Sequence, residues 1–216
     1  MSADLAVYYA RAGWLNRLAR GVFVRPGDSV SLAPSLLLLE RQLAGLHIGG
    51  KSALELHGIV HYVRIRPTLH LYGWITGRLP IWFTERFQAD YHRKRIFEET
   101  PEAPLHVTRT EGPQTCTRAL VSSPERAFLE LLSEVGVRQS LSEARELAEV
   151  THTLRASALS TLLKHCTSVK TVRLCLNLGR ELSMPWVRTL NSKQLPLGSD
   201  KPWVSRRAYG TLVLKA

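Results

Sequence analysis

Residues 3–26 read ADLAVYYARAGWLNRLARGVFVRP, and this stretch decides the fold of the amino-terminal part of the chain. Residues 3–12 contain good helix formers and neither proline nor glycine. Their apolar side chains recur at spacings of three and four, which predicts a helix with one apolar edge. Gly13 is placed to end that helix, because glycine readily adopts the conformation of a helix terminus. The residues around Gly21 alternate or are β-branched, which predicts a tight hairpin. A short helix followed by such a hairpin is typical of the last part of a winged helix-turn-helix.

Arginines cluster at the junction between the predicted helix and hairpin, and Asp4 is the only acidic residue among residues 1–26. Guanidinium groups match the geometry of phosphates and of guanine edges, so the cluster favours contact with double-stranded DNA. A solvent-exposed hairpin with positive side chains is the plainer interpretation of the same pattern. The residues predicted to contact DNA are Arg11, Asn16, Arg17, Arg20 and Arg25.

The net charge of the chain is +11, and most of it lies in the last third. Residues 1–150 hold 18 Lys and Arg against 16 Asp and Glu, whereas residues 151–216 hold 11 against 2. A basic excess favours polyanionic partners and does not specify a fold. The last third is therefore a candidate second polyanion-binding surface, although a solvated basic face explains the same residues. Its members, on a predicted helix over 168–182 and in the tail, are Lys170, Arg173, Arg180, Arg206 and Arg207.

Composition indicates a globular cytoplasmic protein. The three cysteines, Cys116, Cys166 and Cys175, lack CxxC spacing and fit free thiols in a reducing compartment. No apolar run approaches the roughly 20 residues of a membrane span. The first residues also lack the basic and apolar regions of a signal peptide. We therefore predict a cytoplasmic location and no membrane partner.

Residues 45–52, GLHIGGKS, match the GxxxxGKS phosphate-loop pattern letter for letter. In such a loop Lys51 would supply a positive charge and Ser52 would bind magnesium. The preceding LLLLERQLA indicates an amphipathic helix rather than a buried strand, and no aspartate ends an apolar strand as a magnesium ligand would. We prefer a glycine turn before a short helix, and a P-loop NTPase stays as the third alternative.

Residue patterns elsewhere give no support for catalysis or for a metal site. The eight histidines are scattered without the spacing of zinc ligands, and no GxSxG or cysteine-nucleophile signature is present. We therefore predict a protein that is not an enzyme and that uses neither a cofactor nor a metal.

The remainder of the chain predicts a mixed domain. Short apolar runs between residues 60 and 112 indicate a small antiparallel sheet, with strands at 70–73, 81–83, 93–97 and 105–110. After residue 120 helices predominate, and Ser122 with Glu125 and Ser140 with Glu143 match capping boxes. The predicted class is α+β, with a partial winged helix over 1–30 and a sheet-plus-helical-bundle domain over 33–216.

Several blocks, taken in order, resemble the AbiEi-type antitoxins of type IV toxin–antitoxin systems. The blocks are GWLNRLARGVFVRPGD (13–28), GGKSALELHGI (49–59), SSPERAFLELL (122–132), CTSVKTVRLCLNLGRELSMPWVRTLN (166–191) and LGSDKPWV (197–204). No single block is specific to the family, whereas the ordered set is, and it extends over nearly the whole chain.

The resemblance implies an amino-terminal winged helix joined to a larger mixed domain, in a transcriptional regulator of an abortive-infection operon. It implies binding to inverted repeats in the operon's own promoter and repression of that promoter. It also implies that the larger domain counteracts a nucleotidyltransferase-type toxin without needing a stable complex. The wing would contain Arg17, Arg20 and Arg25, and the winged helix would be truncated, since two further helices precede this one in the family. The alternative function is a toxin-neutralising domain that binds protein or RNA rather than DNA.

Overall fold

The amino-terminal part of the protein has the predicted helix and hairpin. A computed structural model describes residues 3–60, 67–100, 104–110, 118–199, 201–207 and 210–214. Helix α1 (Ala3–Arg11) is followed by the antiparallel strands β1 (Asn16–Ala19) and β2 (Val22–Val24). Gly21, with φ at +75°, reverses the chain between the strands in a conformation that glycine adopts without a side-chain clash. We call residues 3–25 the amino-terminal unit.

A mixed five-stranded sheet forms the centre of the protein. Its strands are β3 (His47–Ile48), β4 (Leu69–Gly73), β5 (Ala89–Arg93), β6 (Val107–Arg109) and β7 (Leu120–Ser122). They lie in the order β5-β4-β3-β7-β6. The β3–β4 and β6–β7 pairs are antiparallel, whereas β4–β5 and β3–β7 are parallel. The α+β class is therefore confirmed, but the sheet is mixed and not antiparallel as predicted.

The segment 81–83, predicted as a strand, forms the short helix α4 (Ile81–Thr84). Burial explains the error, because Ile81 is exposed while the adjacent Trp82 and Phe83 are both buried. A strand would point neighbouring side chains to opposite faces and would not bury both on one side. With α4 within it, the connection between β4 and β5 is long enough for the crossover that parallel strands require.

The larger helices pack on this sheet and against one another. They are α2 (Leu32–Glu40), α3 (Gly50–Leu56), α5 (Pro124–Glu134), α6 (Leu141–Glu149), α7 (Ala156–Lys164) and α8 (Val169–Glu181). Ser140 caps α6 as predicted, since its hydroxyl accepts a hydrogen bond from the Glu143 N–H. The predicted cap of α5 is one residue early, because Ser122 ends β7 and Ser123 is the cap. Two short 3-10 helices (Pro185–Thr189 and Ser192–Gln194) and the hairpin β8 (Trp203–Arg207) and β9 (Gly210–Leu214) follow.

One hydrophobic core extends from Val22 in the first hairpin to Leu214 in β9. Helix α5 is buried along almost its whole length and contacts α3, α6, α7 and α8. The thiols of Cys166 and Cys175 are buried, which raises the pKa of each, and Cys116 lies outside the described residues. None of the described helices has the length and apolarity needed to cross a bilayer.

Candidate nucleic-acid interface

The residues predicted to contact DNA all lie on the surface of the amino-terminal unit. In chain order they are Arg11 at the end of α1, Asn16 and Arg17 in β1, Arg20 in the turn, and Arg25 directly after β2. All five are exposed. Within the part of the chain that the structure describes, none of the four guanidinium groups forms an ion pair, and Arg17 makes only a long 3.4 Å hydrogen bond to the Ala19 carbonyl. Their positive charge is therefore available to a ligand.

The hairpin is held against the protein by its apolar side chains. Val22 is buried and belongs to the main core, while Leu18 and Ala19 pack against that core. Arg17 pairs across the hairpin with Phe23. Because apolar contacts fix one side of the hairpin, its arginines project from a folded support.

The apolar edge predicted for α1 is exposed. Leu5 and Tyr9 are partly accessible, Tyr8 is 64% exposed, and Trp14, just beyond the helix, is 72% exposed. Ala6 is the buried residue, so α1 faces the protein with a small side chain. A cluster of large exposed apolar side chains is typical of an interaction surface.

Arg173 was predicted to belong to the second polyanion-binding surface, and this prediction is wrong because Arg173 is 2% exposed. Its guanidinium group donates hydrogen bonds to the carbonyl groups of Leu197, Ser199, Lys201 and Leu214. These acceptors lie 24 to 41 residues further along the chain. The residue pattern within α8 contains no information about a covering segment so distant in sequence.

The other members of the candidate second surface differ in their environments. Lys170 is half-buried, and its Nζ donates to the Ser133 carbonyl at 2.6 Å and to the Val135 carbonyl at 3.0 Å. Arg180 is exposed. Arg206 and Arg207 lie in β8, and their side chains are outside the described part of the structure. Among the described side chains, only Arg180 is placed as the prediction requires, and the second surface stays a prediction.

The GGKS segment is built into the interior of the fold. Lys51 Nζ lies 2.6 Å from Glu143 Oε1 in a partly buried ion pair. The Ser52 hydroxyl accepts a hydrogen bond from the His70 N–H at 2.9 Å and lies 3.2 Å from the Thr68 carbonyl. The two side chains that a phosphate loop would offer to nucleotide and magnesium are thus engaged within the protein.

A buried carboxylate occupies the start of α3, where a phosphate loop would hold phosphate. Glu130 Oε2 accepts hydrogen bonds from the Gly50 N–H at 3.1 Å and from the Ser122 hydroxyl at 2.9 Å. Glu130 Oε1 lies 2.8 Å from His47 Nε2 and 2.7 Å from Arg126 Nε. Burial acts to raise the pKa of Glu130, but the charges and hydrogen bonds of His47 and Arg126 outweigh it and lower that pKa to about 2. A negative charge fixed here would repel a nucleotide, which argues against the P-loop alternative.

Further hydrogen bonds extend the network around Glu130. His47 Nδ1 donates to the Gly45 carbonyl at 2.7 Å, and its Nε2 faces the Glu130 carboxylate. Both partners are hydrogen-bond acceptors, so both ring nitrogens of His47 are engaged within the network. Arg126 also forms two hydrogen bonds with the carboxylate of Glu99, at 2.5 and 2.8 Å. Arg126 thereby joins two buried carboxylates in the interior.

A small cavity lies beside this network, and its lining residues were not predicted to lie together. It is lined in part by Lys51, Tyr72, His92 and Glu134, and its volume of about 30 Å³ suits one or two waters and not a nucleotide. The Tyr72 ring stacks on His92 at 4.7 Å between centroids. Tyr72 lies in β4 and His92 in β5, and the pairing of these two strands brings the rings together. Within the described residues, no group of three His, Cys, Asp or Glu side chains is arranged to hold a metal ion.

Two family models together match residues 1–215 of the chain. Residues 1–65 match the amino-terminal domain of the AbiEi antitoxin transcriptional regulators, and residues 66–215 match the model of the transcriptional regulator, AbiEi antitoxin, of type IV toxin–antitoxin systems. The chain belongs to this family of antitoxin transcriptional regulators. A search of curated protein sequences found no match.

A solved structure shares the fold. The crystal structure of the RV2827C protein from Mycobacterium tuberculosis superposes with a TM-score of 0.52 at 14% identity, over 95% of this chain and 78% of that one. At this identity the likeness extends to the fold alone. The boundary predicted near residues 30–33 stays a prediction.

Proposed function

We propose that this chain binds double-stranded DNA of its own operon and represses it, with the amino-terminal unit as the contact surface. One observation carries the proposal: four exposed arginines lie on a hairpin and helix that the core anchors through Val22. The family membership supports the regulatory role. The proposed activity is binding, and it requires neither catalysis nor a cofactor.

We expect the five predicted DNA-contact residues to have different roles according to their position. Arg17, Arg20 and Arg25 lie along the hairpin, where they would contact phosphates and fix the register of the protein on the duplex. Arg11 ends α1 and Asn16 begins β1. Both side chains would read base edges in the major groove. Two copies would occupy the two halves of an inverted repeat, about one helical turn apart.

The antitoxin role is the second part of the proposal. In the cytoplasm the larger domain would counteract a nucleotidyltransferase-type toxin encoded in the same operon, without a stable complex between the two. The alternative is a domain that neutralises the toxin through protein or RNA and binds no DNA. Co-expression with the neighbouring toxin gene separates them, because rescue by a variant that has lost operator binding supports the alternative.

Fluorescence anisotropy with duplex DNA from upstream of the gene tests the DNA-binding proposal. We expect the upstream duplex to bind more tightly than a random duplex of equal length. The variant Arg17→Gln/Arg20→Gln/Arg25→Gln is expected to bind both duplexes more weakly, because it loses phosphate contacts. Arg145→Gln is the matched control, since Arg145 is an exposed arginine on α6 that pairs with Glu181 and lies outside the unit.

Equal affinity for the upstream and the random duplex would show that this chain does not recognise its operator. An equal loss of affinity per positive charge removed in the triple variant and in the control would show that the hairpin arginines contribute no more to DNA binding than an arginine elsewhere on the surface.

A further inference from the structure

We propose that the amino-terminal unit also binds single-stranded DNA, with Tyr8 and Trp14 as platforms on which unpaired bases stack. We call these two residues the stacking pair. The inference goes beyond duplex recognition by the same unit. It starts from the high exposure of the pair, 64% for Tyr8 and 72% for Trp14, beside the exposed Arg11.

Both rings are attached to rigid backbone. The Trp14 N–H donates to the Tyr9 carbonyl at 2.9 Å, which fixes Trp14 against the end of α1. Tyr8 lies on the helix itself and contacts the Tyr9 ring edge-on, with centroids 5.8 Å apart. Because the supporting backbone is already ordered, little conformational entropy remains to be lost when a base stacks.

The chemistry of the surface selects the ligand. Every base offers a flat π-face, and aromatic side chains beside a positive surface are the common means of binding single strands without strong sequence preference. An intact duplex presents base edges and phosphates in its grooves, while its base faces are covered by neighbouring pairs. A closed duplex therefore offers the stacking pair no base face to stack on, whereas the arginines can contact the phosphates of either form.

Charge argues for a nucleic acid and against an apolar protein partner. Within residues 3–26 the arginines are accompanied by one acid, Asp4, so the exposed rings lie in a positive field. A polyanion with apolar faces complements both properties. Because the arginines of the same unit are proposed to contact operator DNA, we commit to DNA, and the oligo-rU measurement tests RNA.

The test measures anisotropy of a labelled oligo-dT of about 12 nucleotides, an oligo-rU of equal length and a duplex, each with the whole chain. Trp14→Leu and Tyr8→Leu are expected to weaken oligo-dT binding about five-fold or more each, and to weaken duplex binding clearly less than oligo-dT binding. Trp14→Phe should retain most of the affinity because it keeps a ring. Ile81→Ala, at a residue 73% exposed outside the unit, is the matched control for loss of an exposed apolar side chain.

A second readout follows Trp14 directly. Stacking on a base should quench its fluorescence on addition of oligo-dT, and the quenching should disappear in Trp14→Phe. Circular dichroism of each variant verifies that the fold is kept.

The proposal is overturned if Trp14→Leu binds oligo-dT as the wild type does, or if oligo-rU binds as tightly as oligo-dT. The duplex arm keeps the two proposals apart. Loss of operator recognition with intact oligo-dT binding removes the proposed function alone, and the converse removes this inference alone.

Discussion

Glu130 is the residue on which the interior depends most. Its carboxylate accepts hydrogen bonds from the backbone of Gly50, the hydroxyl of Ser122 and the side chains of His47 and Arg126. These donors come from β3, the start of α3, β7 and α5. One side chain therefore joins the sheet to two helices.

Replacing Glu130 with glutamine is expected to lower the free energy of unfolding by about 3–5 kcal/mol. The reason is that the buried Arg126 guanidinium loses one of its two carboxylate partners and the buried His47 loses its charged acceptor. Urea denaturation measures the loss. Glu181→Gln, which breaks an exposed ion pair with Arg145, is the control and should cost about 0–1 kcal/mol. Similar losses in the two variants would contradict the role of Glu130.

The lowered pKa of Glu130 predicts that the stability of the protein is sensitive to acid. The pKa of Glu130 is about 2 in the folded state against its usual 4.5, so the unfolded chain binds the proton more readily. The stabilisation is complete above the usual pKa and is lost as the pH falls from about 4.5 towards 2. Urea denaturation over this range should show a steeper decline for the wild type than for Glu130→Gln. Parallel pH profiles would be evidence against the assignment.

At the scale of elements, the turn into α3 explains the two glycines of the GGKS segment. Gly50 has φ at +51°, and a Cβ there would lie 2.6 Å from the Tyr72 hydroxyl. A Cβ at Gly49 would collide with Glu130 and Tyr72. The glycines are required because a tyrosine and a glutamate pack directly on their backbone.

Gly50→Ala should therefore destabilise the protein more than Gly58→Ala. Gly58 has φ at +76°, and no atom of the described residues lies within 4 Å of the place its Cβ would take. Substitution there costs only backbone strain, about 1–2 kcal/mol. The clash with Tyr72 should add about 1–3 kcal/mol at Gly50. Thermal denaturation compares the two variants. Equal shifts would contradict the clash with Tyr72, and stabilisation of the wild type by ATP and magnesium would support a nucleotide loop.

Local elements could be predicted from the sequence, whereas their pairing could not. The helix–glycine–hairpin order of the amino-terminal unit is encoded by neighbouring residues, and the structure has it. The parallel pairing of β4 with β5 and the helical state of 81–83 depend on which side chains the core accepts. The burial of Arg173 depends on a segment 24 or more residues away, which no local pattern contains.

At the scale of the whole molecule, the two matched family ranges share one sheet. Strand β3 belongs to residues 1–65 and pairs with β4 and β7, which belong to residues 66–215. The amino-terminal unit joins the same core through Val22. We therefore expect the described elements to unfold together.

The substitution Ile48→Ala tests this expectation, since Ile48 is buried in β3 between the two neighbouring strands. It should lower the free energy of unfolding by about 2–5 kcal/mol and shift one cooperative transition. Tryptophan fluorescence and far-ultraviolet circular dichroism should report the same midpoint. Two separate transitions would contradict a shared core.

The central claim is that the hairpin arginines contact phosphates, and the salt dependence of duplex binding tests it most directly. Each phosphate contact contributes about 0.9 to the slope of log K against log salt concentration. The variant Arg17→Gln/Arg20→Gln/Arg25→Gln should therefore have a slope shallower by about 2–3 than the wild type, while Arg145→Gln keeps the wild-type slope. An unchanged slope in the triple variant would contradict the account.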